Sequence, residues 1–161
     1  MLIYLRHGDD RGNDVYRHDR RLNDRGREKA GKKAKRLIEK YGHPDVIYVS
    51  PFRRAVDTLE AMSSHFEGAV TIRHDPRIAQ RLSEKQQNDP QVSPETRAQI
   101  TIVEDRKAFR RRVGKHVEEV RRASGVIWCI THQIVIEEVA DHFDVKISGK
   151  LDFLDHVVML K

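Results

Sequence analysis

Apolar residues along the chain gather in two kinds of segment that take turns. Leu2-Ile3-Tyr4-Leu5, Val46-Ile47-Tyr48-Val49 and Val126-Ile127-Trp128-Cys129-Ile130 are short, nearly continuous runs rich in β-branched and aromatic residues. Such runs are too short for helices and read as strands buried on both faces. Val70-Thr71-Ile72-Arg73 is a weaker strand of the same kind, and Asp155-His156-Val157-Val158-Met159-Leu160 is a final one. Between them the apolar residues recur at helical spacing. Ala30, Ala34, Leu37, Ile38 and Tyr41 predict a helix that starts at an Asn23 cap, with Leu22 as its staple, and stops at Gly42-His43-Pro44. Ala55, Leu59, Met62 and Phe66 predict a second, closed by Gly68. Phe109, Val113, Val117 and Val120 predict a third over Glu104 to Ala123, and Ile136, Val139, Ala140 and Phe143 a fourth. Strands alternating with helices imply right-handed crossovers and an α/β fold: a three-layer α/β/α arrangement around a mostly parallel central sheet.

Two stretches lack either period. Residues 9–21 are polar, of mixed charge, and follow the first strand directly, which predicts a functional loop. Residues from about 75 to 103 collect Gln, Asn and Asp with Pro90 and Pro94, and Ser93-Pro94-Glu95 has the form of a helix start. About thirty residues cannot hold a core of their own. This region is therefore expected to be an excursion, a partial lid, on a single domain spanning residues 1–161.

Composition changes this picture little. The chain is 35% charged with a formal net charge of +6, but its apolar residues are grouped, which argues against disorder. The positive balance favours anionic ligands: phosphate esters, nucleic acid or acidic proteins. The one cysteine, Cys129, sits inside an apolar run, so it reads as a buried small hydrophobe and no disulfide forms within the chain. No apolar run approaches the ~18 residues of a membrane span, and the N-terminus has strand character rather than a signal pattern. The expectation is a cytoplasmic protein.

Chemistry enters at the strand ends. The first strand delivers Arg6-His7, the second Ser50-Pro51 with Arg53 and Arg54 just beyond, and the fourth Thr131-His132. Open α/β sheets bind ligands at the carboxyl ends of their strands. Two imidazoles and two guanidinium groups near helix N-termini suit a tetrahedral anion, because arginine forks match phosphate oxygens and helix ends offer oriented amides. A histidine in that setting can take a phosphoryl group covalently. No cysteine or carboxylate cluster at ligand spacing accompanies the histidines, which disfavours zinc, so no metal and no cofactor is expected.

In order, Leu5-Arg6-His7-Gly8, Leu22-Asn23-Asp24-Arg25-Gly26-Arg27-Glu28-Lys29-Ala30, Ser50-Pro51-Phe52-Arg53-Arg54-Ala55-Val56-Asp57-Thr58, Glu104 through Val113, and Ile130-Thr131-His132 resemble the successive motifs of the histidine phosphatase superfamily, with its phosphoglycerate mutase-like fold. The resemblance implies that His7 is the phosphorylated residue, that Arg6 lies beside it, and that Arg54 rather than Arg53 completes the phosphate pocket. It further implies that His132 contacts the transferred group, that Asn13 lines the pocket, and that Arg112 makes a structural salt bridge. Two positions depart from the pattern. Gln133 stands where many members have glycine, and so dresses the rim of the phosphate site. Gln80 stands where many members have the glutamate that protonates the leaving group, and an amide cannot give that proton. Glu84, or Asp9 beside the nucleophile, is left as the candidate acid. Small bacterial phosphohistidine phosphatases of this superfamily are similar in length, and their substrates have good leaving groups.

The expectation is a metal-independent phosphatase that hydrolyses phosphate monoesters or phosphohistidine, on a small molecule or a phosphoprotein, through a phosphohistidine on His7. Phosphoglycerate mutase-type transfer is the first alternative; the short chain, with less lid, favours hydrolysis. A non-catalytic phosphate-binding module is the second. A nucleic-acid binder using Lys32-Lys33-Ala34-Lys35-Arg36 and Arg110-Arg111-Arg112 is disfavoured, because those cations fall on helices that need polar outer faces and no aromatics interleave them. His18, His43, His65, His74, His116, His142 and His156 are read as surface or structural.

Overall fold

The computed structural model describes residues 1–12, 20–81 and 104–159. Among these, the strands are β1 (Leu2–Arg6), β2 (Val46–Val49), β3 (Thr71–His74), β4 (Ile127–Thr131) and β5 (His156–Met159). They form one sheet in the order β3-β2-β4-β1-β5. The first four are parallel, and β5 lies antiparallel on the outer edge of β1. The helices are α1 (Asp24–Tyr41), α2 (Arg53–Ser63), α3 (Arg106–Arg122) and α4 (Gln133–His142).

Alternation along each strand sorts the side chains into two cores. Leu2, Tyr4, Tyr48, Ile127 and Cys129 face α3 and α4, where Phe109, Val113, Val117, Val120, Ile136 and Val139 close over them. Ile3, Leu5, Ile47, Val49, Trp128 and Ile130 face α1 and α2 and meet Ala30, Ala34, Leu37, Ala55, Leu59 and Met62. The central strands β1 and β4 are buried on both faces, which is why they read as continuous apolar runs. β3 is an edge strand whose four residues are all exposed, hence its faint pattern.

Local chemistry sets the element ends. Asn23 caps α1, its side chain accepting from Gly26 N at 2.7 Å. The third helix starts two residues later than the periodicity suggests: Asp105 takes the cap, accepting from Ala108 N. Glu104 is left outside to pair with Arg112, the structural salt bridge expected of that arginine. Phe66 lies beyond the end of α2 yet still packs edge-on against Trp128 at 5.7 Å. The helix start at 93–95 falls outside the described residues. The described residues just after β3 form a 3₁₀ turn, Pro76–Ile78, capped by Asp75.

Register brings the ends of β1, β2 and β4 level. Leu5 and Val49 both lie opposite Ile130. The next residues, Arg6, Ser50 and Thr131, therefore end together on one edge. His7 N donates to Thr131 O at 2.9 Å, and Ser50 N to Ile130 O at 3.0 Å, so the chain leaves the sheet with its last residues still pinned.

Candidate active site

The alternation that builds the cores also divides the site. Arg6 follows Leu2 and Tyr4 toward α4, where it reaches Gln133 Oε1 at 3.5 Å. His7 turns toward α2, where Arg54 meets it: Arg54 Nε donates to His7 Nε2 at 3.1 Å. The other ring nitrogen, Nδ1, is 2.9 Å from Gly8 O, and a carbonyl only accepts, so the proton sits on Nδ1 and the lone pair on Nε2. His132 is the cap residue of α4. Its Nδ1 accepts from Arg54 Nη2 at 3.3 Å, which leaves Nε2–H to donate to Ser50 Oγ at 2.8 Å. The two imidazole centroids are 5.2 Å apart. His7, Arg54 and His132 are 5%, 4% and 2% exposed, so one guanidinium joins two buried imidazoles.

These side chains are held from behind. Gly8 N donates to Thr58 Oγ1 at 2.9 Å, and Thr58 Oγ1 donates to Arg54 O at 2.6 Å, tying the loop after β1 to the first turns of α2. Fully buried Asp57 accepts from Leu22 N at 3.1 Å and pairs with Arg27 at 3.1 Å, joining α2 to α1. Asp9 O accepts from Asn23 N at 3.0 Å, so residues 8–11 rest on the start of α1. Gly26 permits that approach, because a Cβ there would overlap the Asp9 backbone. On the other side, the Arg6 guanidinium lies 4.4 Å from the Phe153 ring centre and donates to Leu151 O. Phe153 also flanks the His7 ring at 5.7 Å.

The turn after β3 is equally fixed. Arg112 donates to the carbonyls of Pro76, Arg77 and Ala79 while pairing with Glu104. Thr131 Oγ1 bonds Ile78 O. The turn thereby presents Gln80, whose Oε1 accepts from Arg54 Nη2 at 2.7 Å.

Burial pushes the His7 imidazole well below its ordinary titration range, and the Arg54 and Arg6 cations push the same way. His7 is thus neutral near pH 7, with its Nε2 lone pair turned toward Arg54, and a neutral ring is what a nucleophile requires. Arg6, His7, Gln80, His132 and Gln133 line one cleft of about 330 Å³ together with Ile134, Glu137 and Lys150. A larger cleft of about 480 Å³ on the outer side of α4 contains none of the histidines. Among the described residues, no three His, Cys, Asp or Glu side chains are grouped so as to hold a metal ion.

Of the residues singled out in the sequence, Arg6, His7, Arg54, His132 and Gln133 come together, whereas Arg53 is exposed. Asn13 and Glu84 lie outside the described residues. Asp9 is a poor acid. Arg11 grips both its oxygens, at 3.0 and 2.7 Å, and holds its titration down at about 2. Sequence reasoning missed Asp10, which is 8% exposed with Oδ2 3.8 Å from Arg54 Nε; its one signal was adjacency to Asp9. It also missed Phe153, which no periodicity marks.

The model of the histidine phosphatase superfamily (branch 1) matches residues 2–149. A stretch of 85 residues, half of this chain, is 35% identical to the 2,3-bisphosphoglycerate-dependent phosphoglycerate mutase of Arthrobacter sp. (strain FB24), and it covers 34% of that protein, about a third of its length. The protein histidine phosphatase SixA, solved with tungstate, superposes with a TM-score of 0.66 at 16% identity, over 95% of this chain and 83% of that one. The ecdysone phosphate phosphatase EPPase of Bombix mori, also with tungstate, superposes with a TM-score of 0.70 at 15% identity, over 96% and 86%.

Proposed function

Since the chain belongs to the histidine phosphatase superfamily, we propose that it is a metal-independent phosphatase that carries the phosphoryl group on His7 Nε2. The observation that supports this most directly is the reach of Arg54, 3.1 Å from His7 Nε2 and 3.3 Å from His132 Nδ1. One phosphate seated against that fork lies within reach of both imidazoles and of Arg6. In the first half-reaction the Nε2 lone pair attacks phosphorus, and the bond to the leaving group breaks with its electron pair. In the second, water attacks phosphorus, the N–P bond breaks, and inorganic phosphate leaves. The Gly8 carbonyl steadies the ring through Nδ1–H. The guanidinium groups and His132 balance charge spreading over the equatorial oxygens. Arg6 Nε, buried with no hydrogen-bond partner among the described residues, is a donor that such an oxygen satisfies.

Substrates fall in the class of phosphate monoesters, phosphoramidates or acyl phosphates. The likeness to SixA makes phosphohistidine on a protein one candidate. The curated relative favours a second reading, phosphoryl exchange between positions of a phosphoglycerate.

The test is to mix the protein with labelled phosphoramidate and then quench. The wild type is expected to hold an acid-labile, base-stable label and to release phosphate at a rate that chelators leave unchanged. Folded His7→Ala is expected to do neither. Turnover by His7→Ala overturns the proposal, and phosphate binding without turnover by the wild type favours a binding module. With a phosphoglycerate added as acceptor, label passing to it faster than to water favours the mutase.

A further inference from the structure

We infer that Asp10 is the proton donor to the leaving group, an inference that rests on the phosphatase reading above. The position from which many relatives of this fold would supply that proton holds Gln80. Its amide oxygen accepts from Arg54 Nη2 at 2.7 Å, and an amide has no proton to give in this role. The loop after the nucleophile carries two carboxyl groups, and the structure separates them. Asp9 faces Arg11 in a two-pronged pair and also accepts from Arg11 N, so it stays ionised and occupied. Asp10 is turned the other way, into the cage. Its Oδ2 is 3.8 Å from Arg54 Nε, the same N–H that sits 3.1 Å from the nucleophilic nitrogen.

A buried carboxyl inside an anion site is otherwise a liability. When ionised, it repels the phosphate that the arginines attract. The charged groups facing it are Arg54 from α2, Arg6 from β1 and Arg11 from its own loop; Arg11 is taken up by Asp9, and a phosphate engages the other two. The frame around Asp10 is rigid, with Gly8 N on Thr58 and Asp9 O against Asn23 N, which suits a group that must meet one oxygen. In the step itself, the His7 Nε2–P bond forms, the P–O bond to the leaving group breaks, and its electron pair takes the Asp10 proton. The resulting carboxylate then accepts a proton from the water that attacks the phosphohistidine.

The experiment is a leaving-group series with wild type and Asp10→Asn, read as kcat/KM. A missing acid is felt in proportion to leaving-group basicity. Asp10→Asn is expected to lose about 10²- to 10³-fold on alkyl phosphates but under about tenfold on p-nitrophenyl phosphate and phosphoramidate, within the usual range for general acids. Vanadate is expected to bind the variant at least as tightly, because a negative charge has left the cage. Adding Gln80→Glu to Asp10→Asn is expected to recover part of the alkyl phosphate activity. Equal losses across the whole series, or no loss on alkyl phosphates, overturn the inference. Label on His7 from phosphoramidate, measured in the same preparations, shows whether the phosphatase reading survives that result.

Discussion

At the scale of single residues, Arg54 carries the most. Its Nε and Nη2 donate to His7, His132 and Gln80, and it lies over the Phe52 ring at 4.7 Å. Lysine keeps the charge but replaces a planar fork with one compact head. Arg54→Lys is therefore expected to lower kcat about 10²-fold, the scale of losing one preorganised donor. Arg54→Gln goes further and removes the charge. After burial, Arg54 is the largest cause of the low titration of His7. Without it, His7 holds its proton to higher pH. If the neutral ring is the nucleophile, as proposed, the rate falls as pH drops through that titration. The acid limb of kcat/KM against pH should move up in Arg54→Gln and stay nearly in place in Arg54→Lys. A limb that sits at the same pH in wild type and Arg54→Gln would show that the guanidinium does not set the state of His7.

At the scale of elements, the question is how a loop of charged residues is held beside His7. The start of α1 does it, and Gly26 is the enabling residue. Within a helix, Gly→Ala ordinarily gains about 1 kcal/mol. Here the added Cβ would overlap the Asp9 carbonyl oxygen and sit 3.0 Å from Asp9 N. Because both neighbours are backbone, the loop itself has to move. Gly26→Ala is expected to lower stability by about 1–3 kcal/mol, as overpacking does, and to reduce phosphatase activity with it, measured by thermal melting alongside kcat. A more stable and fully active Gly26→Ala would mean that the loop does not depend on this contact. How legible each element was follows its burial. β1 and β4, covered on both faces, wrote themselves as apolar runs, while exposed β3 left only a trace. The strand-end residues Arg6, His7 and His132 were legible because each closes such a run. Asp10 and the Arg54–Gln80 contact were not, because they depend on how the loop after β1 and the turn after β3 approach α2. That approach is set by Gly26, Thr58 and Arg112, far apart in sequence, and no local pattern encodes it.

At the scale of the whole molecule, the charges buried to make the site set how the fold responds to acid. His7 is kept neutral by burial and by two arginines. His156, the first residue of β5, is pushed down to about 4 by burial and by Lys33 and Lys40. Both histidines bind protons more readily in the unfolded chain. The unfolded state therefore gains protons over the native one as pH falls from about 6.5 toward 4, and stability falls with it. A second loss follows below about 3.8. There Asp9, held at about 2 by Arg11, and Asp75, held low through His116 and Arg77, must give up their ion pairs. The net charge of +6 grows over the same range, and self-repulsion adds in the same direction. The melting temperature is thus expected to be flat just above pH 7, short of the alkaline range where buried Cys129 and Tyr4 would ionise in the unfolded chain, to fall between 6.5 and 4, and to fall again below that. The series belongs in buffers free of phosphate and sulfate, since an anion held only by the native cage would raise the melting point by mass action. His156→Gln should shrink the upper step to the part that His7 supplies and leave the lower one. A melting temperature that holds steady or climbs from pH 7 to 4.5 would mean that these imidazoles take up protons without cost, and the neutral His7 on which the nucleophile rests would go with it.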